Sequence, residues 1–342
     1  MKHAAADRQK TEGLRALFFR DRERSVSMTI AECADWLRKR DRFLILNHRR
    51  PDGDALGSAA ALCRGLRALG KTAFVLHNPE TTVRYADWVA GYLAEEGYEP
   101  DWLISTDLAE EGILQVNAGA YKGKIHLSVD HHPSNSGYAQ ERLLMPERAS
   151  CGEIVYLLLK ELSGGVDEEC AKLLYIAVTT DTGCFRYKNT TSDTLRVGAE
   201  LLDAGATVDL NRNLFMKKRR SRLQLEGAII SGLEFFMDGE ACIGTISLAD
   251  MARIGITEED MDDIAAVSGQ VDGVETSITM RQLTESSWKV SVRTGDWANA
   301  NLICSEFGGG GHGMASGGTI EGTLEHAKNV VREAVRKHWK QQ

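Results

Sequence analysis

The feature that most constrains this chain is a short apolar run followed at once by a histidine and two aspartates. Residues Phe43–Leu46 are continuously apolar, as expected of a strand that is buried on both faces of a parallel sheet. His48, Asp52 and Asp54 then lie on the loop before a helix whose start we predict near Ser58. In open α/β sheets, ligands bind at the carboxyl ends of the strands. The sequence therefore predicts a ligand site on this loop.

Two further residues are expected to shape the loop. Pro51 should stiffen the turn, and Gly53 should let the backbone bend so that Asp52 and Asp54 aim at neighbouring points. One imidazole and two carboxylates in a single turn are ligands typical of a divalent metal ion, or of two such ions. The alternative for this stretch alone is a polar loop with an Asx turn.

Two other apolar runs and one helix end in the same kind of residue. Trp102–Thr106 is followed by Asp107, and Ile125–Val129 is followed by an acid and two imidazoles. A helix predicted over Glu168–Thr179 leads into Asp181. Because parallel strands open on one edge of a sheet, we expect these side chains to meet there. The candidate residues are His48, Asp52, Asp54, Asp107, Asp130, His131, His132 and Asp181.

This donor set indicates a particular chemistry. A mixture of imidazoles and carboxylates favours Mn²⁺ over an all-oxygen Mg²⁺ site, and it lacks the thiolates of a structural zinc site. Two ions roughly 3.5–4 Å apart, joined by a carboxylate, can turn a water molecule into a nucleophile for phosphorus. The sequence therefore predicts metal-assisted hydrolysis of a phosphate ester. The net charge of −8 argues against a protein that coats long nucleic acids.

The pattern of elements changes at about residue 200. Strands alternate with helices up to that point, which predicts a parallel α/β sheet. The polar stretch 211–225 reads as a helical linker, and its basic run 217–222 is either a solvated face or a contact for substrate phosphates or a partner. Beyond it we predict antiparallel strands over 242–248, 274–283 and 288–293, helices over 257–267 and 299–307, and a final helix.

A glycine segment near the end of the chain indicates a second binding element. Residues 308–318 contain four consecutive glycines, then His312, and later a further pair of glycines. Successive glycines let backbone N–H groups approach an anion, and an imidazole adds a donor. Arg293, at the end of a predicted strand, can hold a phosphate or carboxylate in a fork. The alternative is that the segment is only a flexible turn.

Cysteine usage and hydropathy bear on the cellular compartment. The chain has seven cysteines and no C-x-x-C pair, which indicates reduced thiols used as small apolar residues. No stretch approaches the roughly 18 apolar residues of a membrane span. The first two dozen residues carry charges of both signs and lack the apolar block of a signal peptide. We therefore expect a cytoplasmic protein.

In this order, the motifs resemble those of the DHH phosphoesterase family, DHH/DHHA1 subfamily. Asp130-His131-His132 matches the motif that names the family. The stretches 48–58 and 180–185 and the residue Asp107 match three further motifs, and 308–317 matches the DHHA1 signature. The resemblance covers nearly everything from about Thr29 onwards.

The resemblance implies a fold and a set of roles. The fold is α/β, with a parallel-sheet catalytic domain over 28–205, a linker over 206–228 and a smaller α/β substrate-binding domain over 229–342, after a loose extension over 1–27. The active site is expected in the cleft between the domains. One Mn²⁺ would be held by His48, Asp52 and Asp107, and the other by Asp54, Asp107, His131 and Asp181, with Asp107 bridging. Asp130 would orient His131, and His132 would contact the scissile phosphate. The rest of the substrate would contact Arg293, Gly309, Gly310, Gly311, His312 and Ser316.

Within the family, the compact layout is most similar to oligoribonucleases (nanoRNases) that act on very short RNAs and also remove the 3′-phosphate of 3′-phosphoadenosine 5′-phosphate (pAp). Two alternatives stay open. One is a phosphodiesterase for cyclic dinucleotides or their linear form, and the other is a nucleotide-binding regulator without catalysis. We expect neither a membrane nor a long nucleic acid as partner, and the oligomeric state stays open, with a homodimer as one candidate.

Overall fold

The computed structural model describes residues 27–261, 264–311 and 313–339. The predicted extension, apart from Ser27, and the candidate residue His312 therefore lie outside the described residues. Contacts divide the chain into two compact units, the first ending at Met216 and the second beginning at Lys217. The domain limits given above stay a prediction.

The first unit is built on a five-stranded sheet in which every strand is parallel to its neighbours. Its order is β2-β1-β3-β4-β5, which places β1 and β3 side by side and β4 next to them. This confirms the predicted parallel sheet. The edge strand β5 has no apolar run and was not expected. The strands are β1 (Phe43–Leu46), β2 (Ala73–Val75), β3 (Trp102–Thr106), β4 (Leu127–Asp130) and β5 (Glu141–Leu144).

The part of this unit that the structure describes contains seven α-helical segments, and the second differs from its prediction. It begins at Gly53 instead of near Ser58, because the side chain of Asp52 caps it by accepting the N–H groups of Asp54 and Ala55. A π-helical turn follows the last segment. The segments are α1 (Ile30–Arg38), α2 (Gly53–Ala68), α3 (Val83–Val89), α4 (Cys151–Ser163), α5 (Glu168–Asp181), α6 (Ser192–Asp203) and α7 (Asp209–Asn211), with the π-turn over Arg212–Met216.

The two faces of the sheet are covered differently. Phe43 and Ile45 of β1 pack into a large core with residues of α1, α2, α4 and α5. Leu44 and Leu46 point to the other face, where they pack against the irregular segment that follows β3, including Leu114. That segment contains the 3₁₀ turns Glu111–Ile113 and Val116–Tyr121, and a third such turn spans Ala90–Tyr92. The segment after β3 therefore reaches the loop that follows β1.

The helices α2 and α5 approach each other closely because α2 presents glycines to α5. A Cβ atom on Gly57 would lie 2.6 Å from the carbonyl oxygen of Leu173, and one on Gly53 would lie 2.1 Å from Oγ1 of Thr180. Gly53 is the first residue of a regular helix and does not have a positive φ. The predicted role of Gly53 in bending the loop is therefore wrong. Its missing side chain instead brings Asp54 towards the end of α5.

The second unit is built on a six-stranded mixed sheet with the order β10-β11-β9-β8-β7-β6. The prediction that its strands are all antiparallel is wrong for β7 and β8, which pair in parallel because a crossover between them returns the chain to the same end of the sheet. The strands are β6 (Glu234–Phe236), β7 (Ala241–Ile246), β8 (Thr276–Thr284), β9 (Ser287–Thr294), β10 (Gly310–Gly311) and β11 (Ala315–Glu321).

The prediction of an α-helix over 257–267, which lies within this crossover, is wrong. The chain there forms a short α-helix followed by two 3₁₀ turns, Glu258–Met261 and Ile264–Gln270. The first of these elements had not been anticipated. A further 3₁₀ turn spans Met237–Gly239. The α-helices are α8 (Arg220–Ser231), α9 (Leu248–Ile254), α10 (Ala300–Ser305) and α11 (Leu324–Lys337).

Much of the basic run before and within α8 is paired inside the second unit. Nζ of Lys218 and Nε of Arg222 both donate to the carboxylate of Glu226, at 2.8–2.9 Å and 2.6 Å. Nε of Arg219 lies 3.7 Å from Oδ1 of the buried Asp260. These contacts favour a structural role for the run. Among the described residues, no helix has both the length and the apolar character needed to cross a membrane.

Candidate metal centre

The first part of the site is the loop after β1. The side chain of His48 is mostly buried, and its Nε2 lies 3.6 Å from Oδ2 of Asp107. His48, Asp52 and Asp107 each offer a ligand atom within 4.8 Å of the others. His48 donates its Nδ1–H to the carbonyl oxygen of Arg49 at 2.7 Å, which leaves Nε2 free to face the carboxylates. The predicted first ligand set is therefore assembled in space.

Asp107 lies at the centre of the site. It follows β3 directly, has a φ of 55°, and donates its N–H to the carbonyl oxygen of Val129 in β4. Its Oδ2 faces His48, whereas its Oδ1 lies 3.4 Å from Nε2 of His131. The two oxygens of one buried carboxylate thus face imidazoles from two different loops. This is the arrangement that a carboxylate shared by two cations requires.

The second part of the site joins the ends of three elements. Nε2 of His131 lies 3.2 Å from Oδ2 of Asp181 and 3.9 Å from Oδ2 of Asp54. Asp54 is fully buried in α2, but its carboxylate accepts the N–H groups of Cys151 and Gly152, at 2.7 and 2.8 Å, at the start of α4. One helix therefore provides this carboxylate and the amino end of another fixes its direction.

The Asp-His-His motif has a different internal geometry from the one that the resemblance implied. Asp130 does not bond to the ring of His131. Its Oδ1 accepts Nδ1–H of His132 at 2.7 Å and the backbone N–H of His131 at 2.8 Å. The ring of His131 instead directs Nδ1 towards the carbonyl oxygen of Arg148 at 3.3 Å. Asp130 therefore orients the ring of His132 and the backbone of His131.

The electrostatics of the site reflect crowded acids in a place with little water. Burial raises the pKa of Asp52 to about 6, with help from the charges of Asp107 and Asp181. Burial also raises the pKa of Asp54. Burial opposes the charged form of His48, but the hydrogen bond and charge of Asp107 outweigh it and raise the pKa of His48 to about 9. Carboxylates this close can all stay ionised only with positive charge between them.

Two orphaned atoms test whether the residues fit a metal ion. Oδ1 of Asp107 and Nε2 of His131 are buried and have no hydrogen-bond partner within the part of the chain that the structure describes. Each is the ligand atom of a residue type that binds divalent ions once it is deprotonated. Three groups of ligand atoms converge here, and His132 completes one of them with Asp107 and His131. The donor set fits divalent cations, because imidazole nitrogens and carboxylate oxygens are common ligands of such ions and two of the buried ligand atoms here have no hydrogen-bond partner among the described residues.

Four of the predicted substrate-binding residues of the second unit lie in or beside the paired strands β10 and β11; they are Gly309, Gly310, Gly311 and Ser316. Gly310 and Gly311 of β10 pair with Gly317 and Ser316 of β11, and a Cβ atom on Gly309 would lie 2.5 Å from the carbonyl oxygen of Gly317. The glycines are thus needed for the close approach of two strands. Gly310 and Gly311 are exposed.

Arg293 and Ser316 extend from opposite faces of this sheet. Ser316 is paired with Val292, whose side chain is buried in the core, and Ser316 itself is buried. Arg293 is the neighbour of Val292 in β9, and its Nη1 donates to the carbonyl oxygen of Val292 at 3.2 Å. Their common role in substrate binding stays a prediction.

Sequence reasoning missed a set of buried and half-buried amide side chains that support the site. Asn135 donates to Oδ2 of Asp130 at 2.6 Å, and Asn78 donates to the carbonyl oxygen of His48 at 2.9 Å. Asn47, between β1 and His48, donates to the carbonyl oxygen of Ala55 in α2 at 3.1 Å. The only signal in the sequence is that asparagines follow the apolar runs of β1 and β2.

The chain belongs to the DHH family of phosphoesterases. The model of the DHH family, N-terminal domain, matches residues 42–178, and the model of the DHHA1 domain matches residues 246–337. The first match contains seven of the eight candidate residues of the metal centre and ends shortly before Asp181. The fold therefore agrees with the family, and most of the candidate metal ligands lie within the matched residues.

Two relatives and one solved structure are similar to this chain over most of its length. A bifunctional oligoribonuclease and PAP phosphatase, NrnA, from Thermus thermophilus is 32% identical over 295 residues, which cover 85% of this chain and 88% of that protein. NrnA from Bacillus subtilis is 25% identical over 286 residues, 82% of this chain and 90% of that protein. The crystal structure of an exopolyphosphatase-related protein from Bacteroides fragilis superposes with a TM-score of 0.80 at 25% identity, covering 90% of this chain and 95% of that one.

Proposed function

We propose that this chain is a Mn²⁺-dependent phosphoesterase with two metal ions that hydrolyses very short RNAs to mononucleotides and removes the 3′-phosphate of pAp. The observation that carries the proposal is the position of Asp107, whose two oxygens face His48 and His131 from separate loops. A carboxylate in this position can be shared by two cations. The substrates are proposed from the activities named for the relatives from Thermus thermophilus and Bacillus subtilis.

The proposed ligand sets follow the groups described above. His48, Asp52 and Asp107 would hold one ion, whereas Asp54, His131 and Asp181 would hold the other together with Asp107. Ions bound there supply charge neutralisation for a phosphoryl group and lower the pKa of water. The chain fixes the ligands from behind. The N–H groups at the start of α4 hold the Asp54 carboxylate, so its direction is set before any ion binds.

His132 is proposed to contact the scissile phosphate. Asp130 accepts its Nδ1–H, so Nε2 on the other side of the ring faces away from that carboxylate. The side chain of His132 is 38% exposed, whereas that of Asp130 is buried. The pKa of His132 is raised, chiefly by the hydrogen bond to Asp130. The ring can therefore donate a hydrogen bond to a phosphoryl oxygen and help to stabilise its charge.

Arg293 and the backbone of Gly309–Gly311, in which Gly310 and Gly311 are exposed, are proposed to bind the remainder of the substrate. A guanidinium group binds phosphate or carboxylate oxygens in a fork, and glycine N–H groups allow close approach of an anion. His312 is proposed to assist from the same segment. These assignments rest on the DHHA1 match and on the exposure of Gly310 and Gly311.

The test is a side-by-side turnover assay in Mn²⁺. The substrates are pAp, a linear dinucleotide, cyclic dinucleotides, and RNAs graded from dimers to twenty-mers. We expect release of phosphate from pAp and faster cleavage of dimers and trimers than of twenty-mers. Asp107→Ala and a chelated sample serve as controls for contaminating phosphatases.

Three results would contradict parts of this proposal. Equal or faster turnover of twenty-mers would remove the preference for short RNA. Turnover of cyclic dinucleotides above that of pAp and RNA dimers would favour the alternative phosphodiesterase. Binding of nucleotides without turnover of any substrate would favour a regulator that has kept the fold without catalysis.

A further inference from the structure

The loop that carries His48 is held by the segment that follows Asp107. The N–H of Arg49 donates to the carbonyl oxygen of Ile113 at 2.7 Å, and the N–H of Gln115 donates to the carbonyl oxygen of Asn47 at 3.0 Å. These bonds form a short antiparallel bridge between His48 and Leu114. The loop that carries His48 is thus joined by backbone pairing to the segment that follows Asp107.

The side chain of Gln115 reinforces this bridge from within the protein. It is only 2% exposed. Its Oε1 accepts the N–H of Asn47 at 3.0 Å, while its Nε2 donates to the carbonyl oxygen of His77 at 3.0 Å and to Oδ1 of Asn117 at 2.8 Å. Gln115 therefore fixes Asn47, which follows β1 and precedes His48, relative to His77, which follows β2.

Asn78 bonds to the backbone on the other side of His48. It is 3% exposed, and its Nδ2 donates to the carbonyl oxygen of His48 at 2.9 Å. Its Oδ1 accepts the N–H of Glu80 at 3.0 Å, so both ends of the amide are engaged. Gln115 and Asn78 thus bond to backbone groups on either side of the Cα atom of His48.

Together, the backbone bridge, Gln115 and Asn78 determine where the imidazole of His48 lies. Its Nδ1–H donates to the carbonyl oxygen of Arg49, whose own N–H is bonded to Ile113. The ring is therefore oriented by a peptide group that the bridge keeps in place. A loop without this support would be free to move, because His48 lies beyond the end of β1 and outside the parallel ladder. Small displacements of a ligand lower metal affinity.

We propose that Gln115, with Asn78, is a positioning residue that sets the affinity of the half of the metal centre containing His48. This inference rests on the proposed metal centre, and concerns one of its two ions. Partners that orient metal-ligating histidines typically contribute about 10–100-fold to metal affinity or activity. The other half, with Asp54, His131 and Asp181, has its own support from α4 and from Arg148 and does not contact Gln115 through any of the bonds described.

The experiment compares Gln115→Met and Asn78→Ala with the wild type and with Asn117→Ala. Asn117 is the matched control, since it also donates to the carbonyl oxygen of His77 but is exposed and does not bond to the His48 loop. Asn117→Ala removes one acceptor of Gln115 and leaves the bonds of Gln115 to Asn47 and His77 in place. Metal-free full-length proteins are titrated with Mn²⁺ by calorimetry, and formation of the spin-coupled manganese pair is followed by electron paramagnetic resonance. Urea unfolding of the metal-free proteins measures stability separately.

We expect Gln115→Met and Asn78→Ala each to weaken binding of one ion by about 10–100-fold, whereas Asn117→Ala stays within about threefold of the wild type. Unchanged binding in both variants would overturn the inference, as would an equal loss for both ions that parallels a loss of stability. If Gln115→Met does not fold, Asn78→Ala decides the question. A wild type that binds no Mn²⁺ would instead refute the metal centre in the proposed function.

Discussion

Replacing Gly57 by alanine tests the link between helix packing and the metal centre. The new Cβ would lie 2.6 Å from the carbonyl oxygen of Leu173 and 3.1 Å from Cβ of Ala177. Neither atom belongs to a flexible side-chain end, so α2 and α5 must separate by roughly 0.8 Å at the carbonyl oxygen of Leu173 to restore an ordinary contact distance of about 3.4 Å. Overpacking of this kind costs about 1–3 kcal/mol, against a gain of about 1 kcal/mol from the better helix propensity of alanine.

The net expectation is a loss of up to about 2 kcal/mol in the free energy of unfolding, or up to roughly 8 °C in Tm for a unit of this size. Because α2 carries Asp54 and α5 ends at Asp181, the same separation should spread the ligands and lower turnover of pAp roughly 10–100-fold. Stability is measured by urea and thermal unfolding, and activity by phosphate release.

Gly227 offers a matched control, because it lies within α8 and a Cβ atom there would meet no heavy atom within 4 Å. Gly227→Ala should raise stability by about 0.5–1 kcal/mol and leave turnover unchanged. A Gly57→Ala protein with the stability and activity of the wild type would show that the two helices do not depend on this close approach.

Three further predictions concern the site itself. Asp107→Ala should abolish turnover and weaken binding of both ions, because it removes a carboxylate that faces both ligand groups; activity above that of a chelated sample would contradict the assignment. Asp130→Asn should lower kcat about 10–100-fold through the orientation of His132 while Mn²⁺ affinity stays within about threefold, and a loss of metal as large as that of His131→Ala would refute this role. The raised pKa values of His48 and His131, about 9 and about 12, leave both rings protonated at pH 7 in the metal-free protein, so Mn²⁺ must displace protons and its affinity should rise with pH between 6 and 9. Calorimetry in buffers of different ionisation enthalpy measures that release, and a heat that is independent of the buffer would disprove it.

The sequence predicted the position of the site better than its internal geometry. Apolar runs ending in Asp107 and Asp130 located the carboxyl ends of β3 and β4, and a parallel sheet brings such ends together. The direction of each imidazole depended on something else. The ring of His131 is oriented by the carbonyl oxygen of Arg148, seventeen residues later and in another loop. No pattern of residue types identifies which backbone carbonyl a ring will meet.

The elements that were missed or misread have physical reasons. The strand Glu141–Leu144 contains two charged residues and is an edge strand, so it lacks the continuous apolar run of a buried strand. Alternation of polar and apolar residues indicates the two faces of β7 and β8 but not their relative direction, which depends on the path of the connection. Gly53 and Gly57 appear in sequence only as small residues, and their use in close helix packing is visible only with α5 in place.

The bonds from Cys151 and Gly152 to Asp54 have a consequence for recombining this chain with its relatives. A chimaera with a crossover between residues 68 and 151 would take the acid from one parent and the helix start that aims it from the other. Hybrids that inherit both segments from one parent should retain the proposed pair of metal ions more often than hybrids that divide them. Shuffled libraries would therefore show these two distant stretches surviving selection as a unit.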